Sequence, residues 1–276
     1  MDLSRLSGAF PHLTLALALS SGAASTAAQD TTQPATTTYI VPYTLDKTAF
    51  EGRYIVPNPT PVNLPLIVLF PDWMGVSDRA KADAGRLARR GYAVFVVDPY
   101  GKKAQPKSVE EAARFSGALK QDVVRLRKIA AAGLRAARNQ HSVDTSRVAA
   151  VGFCFGGTTA LELARSGAPL KGVAVVHGNL ATPFPGDARA ITGRVLVLHG
   201  SADPHVTPAE VDAFKREMNA AGVNFTLREY PGAMHAFTNP AANSPDGGVL
   251  YDQTAAEAAF TELERFFVDV IGEGKK

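Results

Sequence analysis

The chain has 276 residues, 46% of them hydrophobic and 20% charged, an ordinary globular balance that excludes wholesale disorder and a collagen-like structure. Its 29 basic and 26 acidic side chains give a net charge of +3, and the basic residues form no long run, which speaks against nucleic acid as a partner. The one cysteine, Cys154, can form no internal disulfide and supplies no multi-cysteine zinc site, while the length suits one or two domains able to bury a core without either.

The N-terminus opens with a short apolar run, LTLALAL, from Leu13 to Leu19. Small residues follow in SSGAASTAAQD, with Thr26 and Ala28 placed as at a signal-cleavage site. The run is far short of the roughly 20 residues that span a bilayer, so no stable membrane insertion is expected. Residues 1–28 are therefore expected to be a cleavable signal peptide, and the mature protein to be periplasmic or secreted. Thr31 to Thr38, TTQPATTT, shows no periodicity, and residues 29–38 read as a flexible polar tether. The folded domain is expected over 39–276.

Tyr39–Leu45 and Phe50–Pro57 read as an antiparallel hairpin leading into a sheet. Buried-strand patterns follow at Leu64–Phe70, Tyr92–Asp98, Arg147–Gly152, Gly172–His177 and Arg194–His199, and Asn224–Tyr230 alternates as a strand nearer the edge does. Helical stretches lie between them. Ser77–Arg90 has Ser77 as N-cap and stops at Gly91. Val109–Asn139 is long, with a break expected near Gly133. Thr207–Ala221 carries Pro208 at its first position and stops at Gly222. Asp252–Ile271 has apolar residues at helical spacing. Continuous apolar strands alternating with helices predict a single doubly wound α/β domain, a mostly parallel sheet with helices on both faces.

The chemistry concentrates where the Arg147–Gly152 strand runs into Gly152-Phe153-Cys154-Phe155-Gly156-Gly157, followed at once by a helix pattern, TTALELARSG. Strand, Gly-x-nucleophile-x-Gly, helix is a nucleophile elbow, here with Cys154 in place of serine. The glycines are needed because a Cβ beside so sharp a turn would meet neighbouring backbone. Cys154 also sits at a helix start, where free N–H groups favour anionic sulfur. The N–H of Phe155 is one expected oxyanion donor. A second is expected from the loop after an earlier strand, here Pro71-Asp72-Trp73-Met74-Gly75, with Trp73 N–H the candidate.

The acid and the base follow the nucleophile in chain order in such a fold. Asp203 lies in a turn after the RVLVLH strand, and His235 on a glycine-containing loop before the last helix. They are the expected acid and base. Of the other histidines, His12 falls in the leader, His141 precedes a strand on the wrong edge, and His177 and His199 read as structural. His205 is expected to line the pocket.

The segments LIVLFPDWMGV, YAVFVVDPYGK, VAAVGFCFGGTTAL, VLVLHGSADPHV and YPGAMHAF together resemble dienelactone hydrolases of the α/β-hydrolase superfamily, over about residues 50 to 270. The resemblance implies the α/β-hydrolase fold and assigns Cys154, Asp203 and His235 to a catalytic triad. It also places Asp72 where the family often carries a glutamate that hydrogen-bonds the thiol. The family's carboxylate-binding arginine, shortly after the catalytic histidine, has no counterpart, since Thr238 and Asn239 occupy that stretch. Arg114 and Lys102 could contact an anionic group but read better as solvated surface charges.

The expected activity is hydrolysis of a small-molecule ester or lactone through a thioester, with no metal or organic cofactor implied. Two alternatives stay open. One is a broad carboxylesterase or thiol peptidase on the same fold. The other is a non-catalytic secreted binding protein on a hydrolase scaffold.

Overall fold

The computed structural model describes residues 35–275. The expected signal peptide, His12 and the start of the expected tether lie outside the described residues. β1 (Ala35–Leu45) and β2 (Thr48–Asn58) form the expected hairpin, with Ala35 opposite Asn58 and Leu45 opposite Thr48. The strand therefore starts inside the segment read as a tether, and residues 35–38 are paired. Thr36, Thr37 and Thr38 are β-branched and suit an extended edge strand. β1 buries no residue fully, so it carries no apolar alternation to mark it.

The other strands of the main sheet are β3 (Leu64–Phe70), β4 (Ala93–Val96), β5 (Val143–Phe153), β6 (Gly172–Val176), β7 (Arg194–Gly200) and β8 (Phe225–Tyr230). All eight form one sheet in the order β1-β2-β4-β3-β5-β6-β7-β8. β2 pairs with β4 antiparallel, and from β4 to β8 every pairing is parallel. β5 begins four residues earlier than its apolar stretch indicated. Its pairing with β3 shifts register at Pro65/Leu66, and the half-exposed lead-in from Val143 carried no hydrophobic signal.

The helices are α1 (Asp78–Arg89), α2 (Val109–Gln121), α3 (Val123–Arg138), α4 (Phe155–Arg165), α5 (Pro208–Ala221) and α6 (Gln253–Ile271). Ser77, Thr207 and Asp252 cap α1, α5 and α6, each accepting a backbone N–H from its first turn. Alternate strand residues feed opposite faces. Leu66, Val68 and Ala150 pack with Leu134 of α3, Leu161 of α4 and Phe214 of α5. Ile67, Leu69 and Val151 pack with Leu87 of α1 and with Leu263 and Phe267 of α6.

The long helical stretch does break, but at Asp122 and not at Gly133. Asp122 leaves helical geometry (φ −110°, ψ 72°) and its carboxylate accepts from the Arg125 N–H at 2.9 Å, starting α3 afresh. Gly133 lies inside α3, where a Cβ would stand 2.6 Å from Val97 Cγ1. The glycine lets the helix approach the sheet and does not end it. Gly117 in α2, by contrast, faces open space. In urea unfolding, Gly133→Ala should lower stability by about 1–3 kcal/mol through overpacking. Gly117→Ala should raise it by up to about 1 kcal/mol through helix propensity.

Candidate active site

The elbow is built from three backbones in contact. A Cβ on Gly152 would lie 1.9 Å from the Gly156 oxygen, and one on Gly156 would lie 2.0 Å from the Phe70 oxygen at the end of β3. Only glycine fits either place. Between them Cys154 takes φ 54° and ψ −121°, a conformation costing a non-glycine residue on the order of 1–3 kcal/mol. Its N–H donates to the Val176 oxygen at 2.9 Å. Phe155 is the first residue of α4, so its N–H has no intrahelical acceptor.

Three loops at the C-terminal ends of the strands bring the expected residues together. His235 Nε2 lies 3.0 Å from Cys154 Sγ, and His235 Nδ1 lies 2.8 Å from Asp203 Oδ2. Asp203 sits in the turn after β7, where its other oxygen accepts the His205 N–H at 2.8 Å. His235 is held by its own backbone: its N–H donates to the Gly248 oxygen and its carbonyl accepts from Leu250 N–H. Asp203 and His235 are both buried. Burial disfavours the imidazolium, but the hydrogen bonds to Asp203 and Cys154 outweigh it and hold the His235 pKa up to about 10.

The loop after β3 faces the elbow. Trp73 lines the cavity beside Cys154 and Phe155, and its carbonyl accepts the Tyr100 hydroxyl at 2.8 Å. The Tyr100 ring stacks on that of Phe155, with centroids 6.0 Å apart. Buried Asp98 organises the neighbouring turn. Its Oδ1 accepts from Tyr100 N–H, Gly101 N–H and Gln105 Nε2, and Gln105 Oε1 in turn accepts the Val76 N–H.

Asp72 lines the same cavity, but its Oδ1 accepts the Met74 N–H at 2.8 Å. No hydrogen bond joins it to Cys154 among the described residues. One methylene shorter than glutamate, the side chain closes its own turn and so shapes the Trp73 loop. Burial pushes its pKa up, with the Met74 N–H and the Arg79 charge acting against that.

The cavity has a volume of about 250 Å³. Phe153, Trp73 and Val249 supply apolar walls, and His205, Thr238 and Asn239 are among the polar ones. His205 lies there as expected, its ring edge-on to His235 at 5.2 Å. His199 is buried in β7. Lys102 pairs with Glu51 and Arg114 with Glu111, and neither lines the cavity. Arg79 and Lys120 do.

Arg79 and His177 are lining residues whose contacts with the site escaped the sequence reading. Arg79, in the first turn of α1, donates to Asp83, Asn239 and the Thr238 carbonyl. A cation there opposes the helix dipole, a sign that something other than helix formation selects it. His177, read as structural, accepts the Cys154 N–H on Nδ1 at 3.2 Å. Its signal was a polar residue closing an apolar strand beside the strand that leads to Cys154. Among the described residues no cluster of histidine, cysteine or carboxylate side chains could hold a metal ion, and no helix is long and apolar enough to cross a membrane.

A sequence model of the dienelactone hydrolase family matches residues 50–271. An uncharacterized protein of Caenorhabditis elegans is 35% identical over 139 residues, covering 49% of this chain and 87% of that protein. A dienelactone hydrolase-like promiscuous phosphotriesterase from metagenomic libraries is 36% identical with a TM-score of 0.83, covering 86% of this chain and all of its own. The acylaminoacyl peptidase of Pyrococcus horikoshii, 13% identical at a TM-score of 0.69 and covered over 43% of its length, shares the fold alone.

The raised His235 pKa links stability to pH. The folded state holds this proton more tightly than the unfolded chain, whose imidazole has a pKa of 6.5. The stabilisation is complete below pH 6.5 and is lost as pH rises towards about 10. Thermal unfolding of the wild type should therefore fall more steeply over that window than that of His235→Gln. Parallel Tm-against-pH curves would contradict it.

Proposed function

The chain belongs to the dienelactone hydrolase family, and on that premise we propose that it hydrolyses a small ester or lactone through a Cys154-His235-Asp203 triad. The observation that carries this reading is the unbroken hydrogen-bonded line from Asp203 Oδ2 through His235 to Cys154 Sγ, ending in a cavity. Asp203 fixes the ring and favours its protonated form. The sulfur, deprotonated to His235, attacks the acyl carbon, and the carbonyl oxygen becomes an oxyanion. The N–H groups of Phe155 and Trp73 receive that charge, each worth about 3–4 kcal/mol of barrier.

The acyl carbon–oxygen bond then breaks, and His235 gives its proton to the departing alcohol or enol. Neutral His235 next takes a proton from water as it attacks the thioester, and the collapse of that adduct expels the thiolate. An ester or enol leaving group departs readily from such an adduct. An amide nitrogen departs poorly, so peptides should be turned over slowly. The cavity volume suits a compact substrate. The apolar run of residues 13–19 supports export to the periplasm or medium.

Similarity to a promiscuous phosphotriesterase favours a second reading, in which the same site also takes a neutral phosphotriester. The decisive assay is a panel of p-nitrophenyl esters, aryl lactones and enol lactones, with an aryl phosphotriester alongside. Cys154→Ala should lose all measurable turnover, and Asp203→Asn should lower kcat by about 10⁴-fold. Retained ester hydrolysis in Cys154→Ala would overturn the reading.

A further inference from the structure

His177 is a buried histidine that lines the cavity and has no part in the proposed hydrolysis. The Cys154 N–H is shared between the Val176 oxygen and His177 Nδ1. A backbone N–H can only donate, so Nδ1 is the unprotonated ring nitrogen. In the neutral ring Nε2 then carries the hydrogen and donates it to Thr238 Oγ1, 2.9 Å away. Neither nitrogen is left for the sulfur, so His177 cannot act as the base.

Thr238 lies three residues beyond His235 on the same loop. Its carbonyl accepts from Arg79 Nη2 at 2.8 Å, and the next residue offers Asn239 Oδ1 to Arg79 Nη1. Arg79 Nε is fixed by Asp83 at 2.7 Å. A hydrogen-bonded path thus runs from the backbone of the nucleophile, through His177 and Thr238, to α1. His177 and Thr238 are 3% and 2% exposed, so the bond between them is shielded from water.

The backbone supports the same reading. His177 takes φ 41° and Ala236 φ 56°, left-handed conformations that persist only where surroundings enforce them. The His177 ring stands edge-on to His235 at 5.4 Å. Burial keeps its pKa well below the usual histidine value, and the charges facing the pair are those of Arg79, Asp72, Asp203 and Cys154.

We propose that His177 is a positioning residue, which with Thr238 and Arg79 braces the loop carrying His235 against the backbone of Cys154 and so sets the sulfur–imidazole distance. The inference rests on the hydrolase reading and assigns that site a part it did not contain. Asp203 fixes the rotation of the His235 ring, whereas the brace fixes where the ring stands relative to the elbow. A displacement of about 1 Å in such a pair is worth about 100-fold in rate.

The test uses the full chain with Thr238→Val, Thr238→Ser and Arg79→Lys. Two quantities are read: kcat and KM on a p-nitrophenyl ester, and the rate of Cys154 alkylation by iodoacetamide as a function of pH. Thr238→Val keeps the shape and removes the hydroxyl. It should lower kcat about 10- to 100-fold with KM changed less than about 3-fold, and raise the alkylation midpoint by about one pH unit. Thr238→Ser should restore both. Arg79→Lys, which keeps the charge and loses the planar fork, should show the same signature more weakly and serves if Thr238→Val does not fold. Wild-type kcat and midpoint in both Thr238→Val and Arg79→Lys, or equal damage in Thr238→Ser and Thr238→Val, would overturn the brace alone. A wild-type thiol that alkylates slowly at every neutral pH would overturn the hydrolase reading beneath it.

Discussion

Everything at the site depends on backbone meeting backbone where β5 turns into α4. The contacts of Gly152 with Gly156 and of Gly156 with the end of β3 leave no room for a Cβ. They bring the helix start against the strand that leads to the Trp73 loop. That closeness puts the Phe155 N–H, the sulfur and the Trp73 loop around one small volume. It also forces the positive φ of Cys154, a strain that the surrounding packing must outweigh.

Part of that resistance lies at the other end of α4. Arg165 is fully buried and donates to Glu162, to Glu217 of α5 and to the Leu180 carbonyl. Glu162 also binds Arg127 of α3. Buried charges of this kind add little net stability, but each geometry is costly to leave. They lock α4 against its neighbours, so the helix cannot slide to relax the elbow. The loops after β7 and β8 then need only reach inwards from adjacent parallel strands to deliver Asp203 and His235.

Much of this was legible in the sequence. Continuous apolar runs marked the parallel strands because both faces are covered. The glycine pair around the lone cysteine marked the elbow because sterics permit nothing larger. Asp203 and His235 could be read from their place after two successive strands. What escaped had no local signature. β1 has no buried face, so its threonines looked like tether. Gly133 looked like a helix breaker because its partner, Val97, just past the end of β4, is distant in sequence. Asp72 bonds its own turn, and its family position gave no hint of that. Arg79 and His177 hydrogen-bond residues about 160 and 60 positions away, contacts that no spacing rule exposes.

The uniqueness of the sulfhydryl has a chemical corollary. Redox-sensing cysteines often keep a second thiol nearby, so that a sulfenic acid formed by peroxide is captured as a disulfide and later reduced. This chain has a single cysteine, and no internal partner exists for that capture. Recovery after oxidant exposure must be bimolecular, by a small thiol entering the cavity. Without one, the path leads on to the irreversible sulfinic and sulfonic acids. Durability in an oxidising medium is thus set by access to the pocket as much as by the firmness of the fold.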